Sequence, residues 1–233
     1  MMVEPTGPVL EARNLHAHRS GAHILRGIDL AVRRGEVKAI IGGAQSGKST
    51  LLRTLMGMIT PSAGEVLING RSVEGYPAHA IAELGAAFVP QTRRVFGRLT
   101  VYENIVMGRS ASAGRSKAAW GAERIFEIFP KLRDIQDCIA DEVDSDQRQF
   151  LTIARSLFTG PCLLMLDDPA VGLSPNAISE LARALVRLRD DGVAVLFTER
   201  ESSLMEGVEP AVFVMDAGRL VDVDGRFCVL ASA

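Results

Sequence analysis

Residues 37–57 read "VKAIIGGAQSGKSTLLRTLMG", and this stretch decides the fold. "VKAII" is a short apolar run bounded by glycines, and Leu51, Leu55 and Met58 then recur at helical spacing. The pattern is strand, glycine loop, helix. Within it Gly42 is followed after four residues by Gly47, Lys48 and Ser49, which is the phosphate-loop pattern in the context that gives it meaning. Glycines let successive backbone N–H groups curl around an anion, and the helix N-terminus adds partial positive charge. Gly42, Gly43, Ala44, Gln45, Ser46, Gly47, Lys48, Ser49 and Thr50 are therefore candidate binding residues for a nucleotide. Lys48 would neutralise the β and γ phosphates, and the Ser49 hydroxyl would face magnesium.

Outward from this loop, the chain alternates strands and helices. Upstream, Leu10, Ala12 and Leu15, then Ile24, Ile28 and Leu30, suggest two strands joined by a turn at Ser20-Gly21, an antiparallel flank. Downstream, Thr100 and Glu103 form a capping-box pattern that predicts a helix from about Val101. Residues 110–120 are small and polar and read as a mobile loop within a helical region running to about Asp137. A helix is predicted from about Gln147, with Phe150, Ile153, Ala154 and Leu157 on one face. "CLLML" then reads as a buried strand, Ser174-Pro175 as the start of a helix with Ile178, Leu181, Leu185 and Leu188 inward, and "VAVLFTE" as another buried strand. A hairpin is expected around Ala217-Gly218. The sum is an α/β fold with a mainly parallel core sheet and an antiparallel flank.

Asp167 stands at the carboxyl end of the "CLLML" strand, where open parallel sheets place ligands, and is a candidate magnesium holder; Asp168 follows it. Composition narrows the remaining classes. The chain has 233 residues, 47% hydrophobic and 23% charged, enough for one sizeable core. Its apolar runs are too short to cross a bilayer, and residues 1–10 lack the pattern of a signal peptide. Cys138, Cys162 and Cys228 show no metal-ligand spacing. A net charge of −2 offers no bulk attraction to nucleic acid, although Arg93, Arg94 and Arg98 form a local cluster suited to a smaller anion.

With these elements in order the chain resembles the nucleotide-binding subunits of ABC transporters, and most of all those of branched-chain amino-acid importers. The likeness is carried by "GGAQSGKSTLLRTLMG", "AAFVPQTRRVFGRLTVYENIVMG", "RIFEIFPKL", "QRQFLTIARSL", "LLMLDDPAVGLSP" and "GRLV", across nearly the whole chain. It implies a single P-loop NTPase domain of ABC type over residues 1–233, with an inserted helical subdomain over 92–145 facing the transporter's membrane subunits. It also implies ATP and Mg2+ as ligands, with Gln91, Ser49 and Asp167 near the metal and Gln91 relaying nucleotide state. A second ABC subunit, arranged head-to-tail, transmembrane permease subunits and a peripheral place on the cytoplasmic face of the cell membrane are implied too, and nucleic acid is not.

Several motif positions depart from the family's pattern. The Leu-Ser-Gly-Gly-Gln signature, whose serine and glycine amides close over the partner's γ-phosphate, is here "VDSDQ", Val143 to Gln147. Two carboxylates near an incoming anion are repulsive, by about 4 kcal/mol for unit charges about 4 Å apart at an effective dielectric of about 20. Asp144 or Asp146 capping its own helix is the other reading, and it too leaves no phosphate clamp. The catalytic glutamate is the shorter Asp168. Arg200, which cannot alternate as acid and base near neutral pH, occupies the switch-histidine position and would contact either a γ-phosphate or the neighbouring Glu199 or Glu201. His18 and Arg19 stand where an aromatic would stack on adenine, and Gln45 replaces a loop glycine. The resemblance thus implies an ATPase with impaired hydrolysis, or a hydrolysis-poor nucleotide-binding or scaffold partner of an active paralogous subunit. A soluble ABC protein outside transport is the remaining alternative.

Overall fold

A computed structural model of the chain describes residues 7–108, 120–200 and 203–222. The first half runs β1 (Leu10–Arg19), β2 (Ala22–Val32), β3 (Val37–Ile41), α1 (Lys48–Leu55), β4 (Ala63–Ile68), β5 (Arg71–Ser72), α2 (Ala78–Glu83), β6 (Ala86–Val89) and α3 (Val101–Val106). The second half runs α4 (Ala122–Ile128), α5 (Pro130–Asp134), α6 (Ser145–Leu157), β7 (Leu163–Leu166), α7 (Pro175–Asp190), β8 (Ala194–Glu199), α8 (Met205–Val208), β9 (Ala211–Asp216) and β10 (Arg219–Asp222).

Both hairpins read from sequence are present. Ser20 and Gly21 join β1 to β2 with φ of 51° and 80°, and Ala217 and Gly218 join β9 to β10 with φ of 44° and 80°. Two consecutive positive-φ residues give the turn whose twist matches the flanking antiparallel strands. Among the described residues, the antiparallel sheet has the order β2-β1-β4-β5, and the second sheet β10-β9-β3-β8-β7-β6. In the latter, β9, β3, β8, β7 and β6 are parallel and β10 closes the edge antiparallel.

The parallel strands are apolar at nearly every position because both faces are covered. Ala39, Leu164, Leu166, Val195 and Phe197 point into one core with α6 and α7. Their alternates Ile40, Leu163, Met165, Ala194 and Leu196 point into a second core with α1 and the antiparallel sheet. This two-sided burial fixes the register, since a one-residue slip would exchange every side chain between the cores. It also lines up the carboxyl ends of β3, β8 and β7, which are neighbours in the sheet.

The capping box at Thr100 and Glu103 is formed, with the Glu103 N–H donating to Thr100 Oγ1 at 3.1 Å and the Thr100 N–H to Glu103 Oε2 at 2.8 Å. The helical region expected up to Asp137 divides into α4 and α5. Pro130 disfavours the helical conformation at the residue before it, and Phe129 sits at φ −121°, ψ 73°. Phe129 is nonetheless buried against Phe150 of α6, ring centroids 5.3 Å apart. The expected loop at 110–120 lies outside the described residues as far as 119, as do Glu201 and Cys228.

Candidate functional site

The loop from Gly42 to Gly47 leaves the end of β3 and turns into the first residue of α1, Lys48. It packs tightly on β9: a Cβ on Gly42 would stand 2.3 Å from the backbone oxygen of Met215. Gly47 adopts φ 110° and Gln45 φ 68°. The loop therefore curls as a glycine loop would, and a left-handed Gln45 costs about 1–2 kcal/mol relative to the glycine expected there. Lys48 Nζ donates to the Gly42 and Gly43 carbonyls at 2.6 and 3.0 Å, folded back across the loop. Burial pushes its ammonium below the ordinary lysine range, with Asp168 the strongest opposing influence.

Above the loop is a cavity of about 440 Å³ lined by Arg19, Ile24, Ala44 to Thr50, Asp168 and Arg200. Three cationic side chains face one carboxylate there, a balance suited to a polyanion. The structure thus brings Lys48, Ser49, Asp168 and Arg200 together. Ser49 Oγ donates to Asp167 Oδ1 at 2.9 Å, so these two oxygens lie side by side beneath the cavity. Such a hard-oxygen pair fits magnesium, which takes few protein ligands and completes its shell with water and phosphate. Gln91 is exposed and does not line the cavity.

Arg200 has a partner that the sequence reading did not offer. Its Nε lies 3.2 Å from Asp168 Oδ2, an ion pair across neighbouring strand ends. Of the two adenine-side candidates, Arg19 lines the cavity, whereas His18 is engaged elsewhere. Its ring stacks on His23 at 4.5 Å and its Nδ1 is 3.0 Å from Ser62 Oγ.

Thr198, which sequence reasoning passed over, links the two acids. Its hydroxyl donates to Asp167 Oδ1 at 3.1 Å and accepts the backbone N–H of Asp168 at 3.0 Å. Glu199, also buried, accepts the backbone N–H of Ala170 at 3.1 Å through Oε1. A hydroxyl and a carboxylate at the end of a strand otherwise apolar on both faces were the available signal.

The "VDSDQ" segment forms the start of α6. Asp144 Oδ1 accepts the Gln147 N–H at 2.8 Å, and Gln147 Oε1 accepts the Asp144 N–H at 3.1 Å, a reciprocal cap. Asp146 instead accepts from the N–H and hydroxyl of Ser174, at 3.3 and 2.5 Å, at the start of α7. Arg93 donates to the carbonyl and hydroxyl of Ser145 and to the Val171 carbonyl, so it is occupied holding backbone rather than free for an anion. The α6 tip is therefore satisfied within its own chain. Replacing Asp144 by Ala should lower stability by about 1 kcal/mol through loss of the cap, whereas Asp144→Ser should cost only a few tenths. Urea denaturation of the two variants would check the difference.

Comparison with known proteins agrees with this geometry. The family described as "ABC transporter" matches residues 25–171. The high-affinity branched-chain amino acid transport ATP-binding protein BraG of Pseudomonas aeruginosa is 33% identical over 208 residues, 89% of each chain. The lipopolysaccharide export system ATP-binding protein LptB of Escherichia coli is 27% identical over 214 residues, 91% of this chain and 88% of that one. Among solved structures, an ATP-binding cassette of an ABC transporter in its ADP conformation superposes with a TM-score of 0.81 at 24% identity, covering 93% of this chain and 90% of that chain. No helix among the described residues is long and apolar enough to cross a membrane. With the phosphate loop at the head of α1, Asp167 at the end of β7 and these likenesses spanning most of its length, the chain belongs to the ABC transporter family, as an ATP-binding subunit.

Proposed function

We propose that the chain serves an importer of branched-chain amino acids or a related solute, binding ATP at the loop of residues 42–50 and hydrolysing it weakly. The observation that carries the reading is the cationic cavity at the head of α1. The solute class rests on the likeness to BraG, and the likeness to LptB supports ATP-coupled transport without fixing its direction. Backbone N–H groups between Gly43 and Thr50 would cradle the phosphates, that of Gly42 being donated to the Glu199 carbonyl at 3.2 Å, and Lys48 would turn from its two carbonyls to them. Ser49 and Asp167 would hold magnesium, which neutralises charge on phosphate oxygens, with Gln91 approaching from outside the cavity. Asp168 would orient the attacking water from a shorter reach than a glutamate. A misplacement of about 1 Å at such a position costs about a hundredfold in rate.

Residues 92–145, holding α3, α4, α5 and the first residue of α6, form the subdomain that faces the permease subunits in this reading. A second ATP-binding subunit pairs head-to-tail with this one. Its phosphate loop faces the capped α6 tip, so one chain's departures affect both composite sites. Better-equipped turnover would then belong to a paralogous partner. The chain sits on the cytoplasmic face of the cell membrane, held by the permease.

Deleting the chain from its host should abolish uptake of a radiolabelled branched-chain amino acid, and the tagged chain should purify from membranes together with permease subunits. Unchanged uptake, with recovery from the soluble fraction alone, contradicts the assignment.

A further inference from the structure

Three of the chain's four histidines, His16, His18 and His23, meet on the hairpin of β1 and β2. The His23 ring stacks on His18 with centroids 4.5 Å apart and planes at 9°, and on His16 at 5.2 Å and 24°. His16 Nδ1 lies 3.0 Å from His23 Nε2, and His16 Nε2 lies 3.1 Å from Asn14 Oδ1. An amide oxygen only accepts, so His16 donates from Nε2 and its Nδ1 accepts from His23. The pair takes up one proton without losing the bond between its rings. A second puts an N–H on both facing nitrogens and breaks it. The charged groups acting on His23 are His18, His16 and Arg26, and none of them is an acid. From the neighbouring elements, the loop before β4 contributes the uncharged Ser62, which meets His18, and the turn between β9 and β10 contributes the Gly218 carbonyl, which meets the Arg26 N–H. Glu11 and Glu65 pair with Arg13, and Asp29 accepts the Asn14 N–H. Desolvation in the stack, then these cations, hold His23 below the ordinary histidine range.

The same hairpin is tied to the phosphate loop through β2. A Cβ on Gly47 would stand 3.4 Å from Ile24 Cγ2 and 3.5 Å from Leu25 Cδ2. The Arg26 N–H donates to the Gly218 carbonyl at 2.9 Å, and the Gly218 N–H donates to the Ser46 carbonyl at 3.0 Å. Arg19 and Ile24 also line the cavity. We infer that the three histidines form a proton switch on nucleotide affinity. Neutral, the stack holds the hairpin against the phosphate loop; with a second proton it spreads, draws Arg19 and Ile24 from the cavity and weakens the hold on the nucleotide. A histidine held below its unperturbed value of about 6.5 contributes stability above that pH, and the contribution is lost as pH falls through the lowered value. The switch therefore acts on the acid side of about pH 6.5 and is silent above it. The inference rests on the ATP-binding reading above and adds control of that site by pH.

Mg-ATP affinity of the full chain, measured by displacement of a fluorescent nucleotide from about pH 8 to about pH 5.5, tests it. A group whose pKa differs by about one unit between free and bound states changes affinity about tenfold, and the wild-type chain should show a fall of that size below about pH 6.5. His23→Gln should fall less than about twofold over the same range. His16→Gln, which removes the ring facing His23, should fall by an intermediate amount. His79→Gln, at the fourth histidine on α2, should keep the whole fall. A wild-type affinity that stays flat, or a fall that His23→Gln leaves intact, overturns the switch. Failure of the folded wild-type chain to bind ATP even at about pH 8 would instead overturn the nucleotide reading, and the switch with it. Circular dichroism at each pH confirms that folded protein is compared.

Discussion

Changing Asp144, Ser145 and Asp146 together to Ser, Gly and Gly is expected to raise ATP turnover of the assembled transporter at least about tenfold, or about 1.4 kcal/mol in barrier. In the head-to-tail pairing proposed above, the start of α6 approaches the phosphate held by the other subunit. Two carboxylates at this tip oppose that anion, and the side chains occupy space that glycines would leave to backbone amides. Serine at position 144 can still accept the Gln147 N–H, so the helix keeps its start. The cost falls mainly on Asp146, whose removal takes away both acceptors of Ser174 and loosens the head of α7, while Ser145→Gly removes the hydroxyl that accepts from Arg93. A charged acceptor of this kind contributes about 1.5–3 kcal/mol. Stability should therefore fall while turnover rises, a combination that general repair of the fold would not produce. Unchanged turnover with a folded variant would move the defect from the α6 tip to Asp168.

Lys48→Ala should reduce Mg-ATP affinity at least about a hundredfold, or about 2.7 kcal/mol, with little loss of stability in the nucleotide-free chain. Lys48 satisfies only the Gly42 and Gly43 carbonyls, and its burial opposes its charge, so the empty protein gains little from it. A bound triphosphate reverses that balance, because the buried ammonium then has multiply charged oxygens within reach. Thermal denaturation separates the two effects. Saturating Mg-ATP at a hundred times its dissociation constant stabilises the wild-type chain by about 2.7 kcal/mol, whereas the variant should show almost no shift at the same concentration. An undiminished shift in the variant would place the nucleotide elsewhere.

The phosphate loop was legible in the sequence because three local signals agree there: the apolar run of β3, the glycine spacing and the helical period of α1. Both hairpins and the Thr100–Glu103 capping box were legible for the same reason, since their partners lie within a few residues. At α6 the local signal was ambiguous: either Asp144 or Asp146 could cap the helix, and the structure uses Asp144 for the cap and Asp146 to hold Ser174. The partner of Arg200 was not legible. Asp168 lies 32 residues earlier, and the two meet only because β7 and β8 are parallel neighbours in register. That register is set by burial on both faces, which no window of local sequence contains. Thr198 and Arg93 were obscured in the same way, because their partners follow from which strand ends and loops the sheet gathers.

In the function proposed above, the chain holds ATP at residues 42–50 and turns it over slowly. Rapid-quench single turnover of Mg-ATP labelled at the γ-phosphate, on the purified chain at saturating concentration, tests it most directly. Near-stoichiometric binding is expected, with conversion to ADP at least about a hundredfold slower than the median enzyme turnover of about 10 s⁻¹. Release of labelled phosphate at that ordinary rate, or no ATP bound by the folded chain, would contradict it.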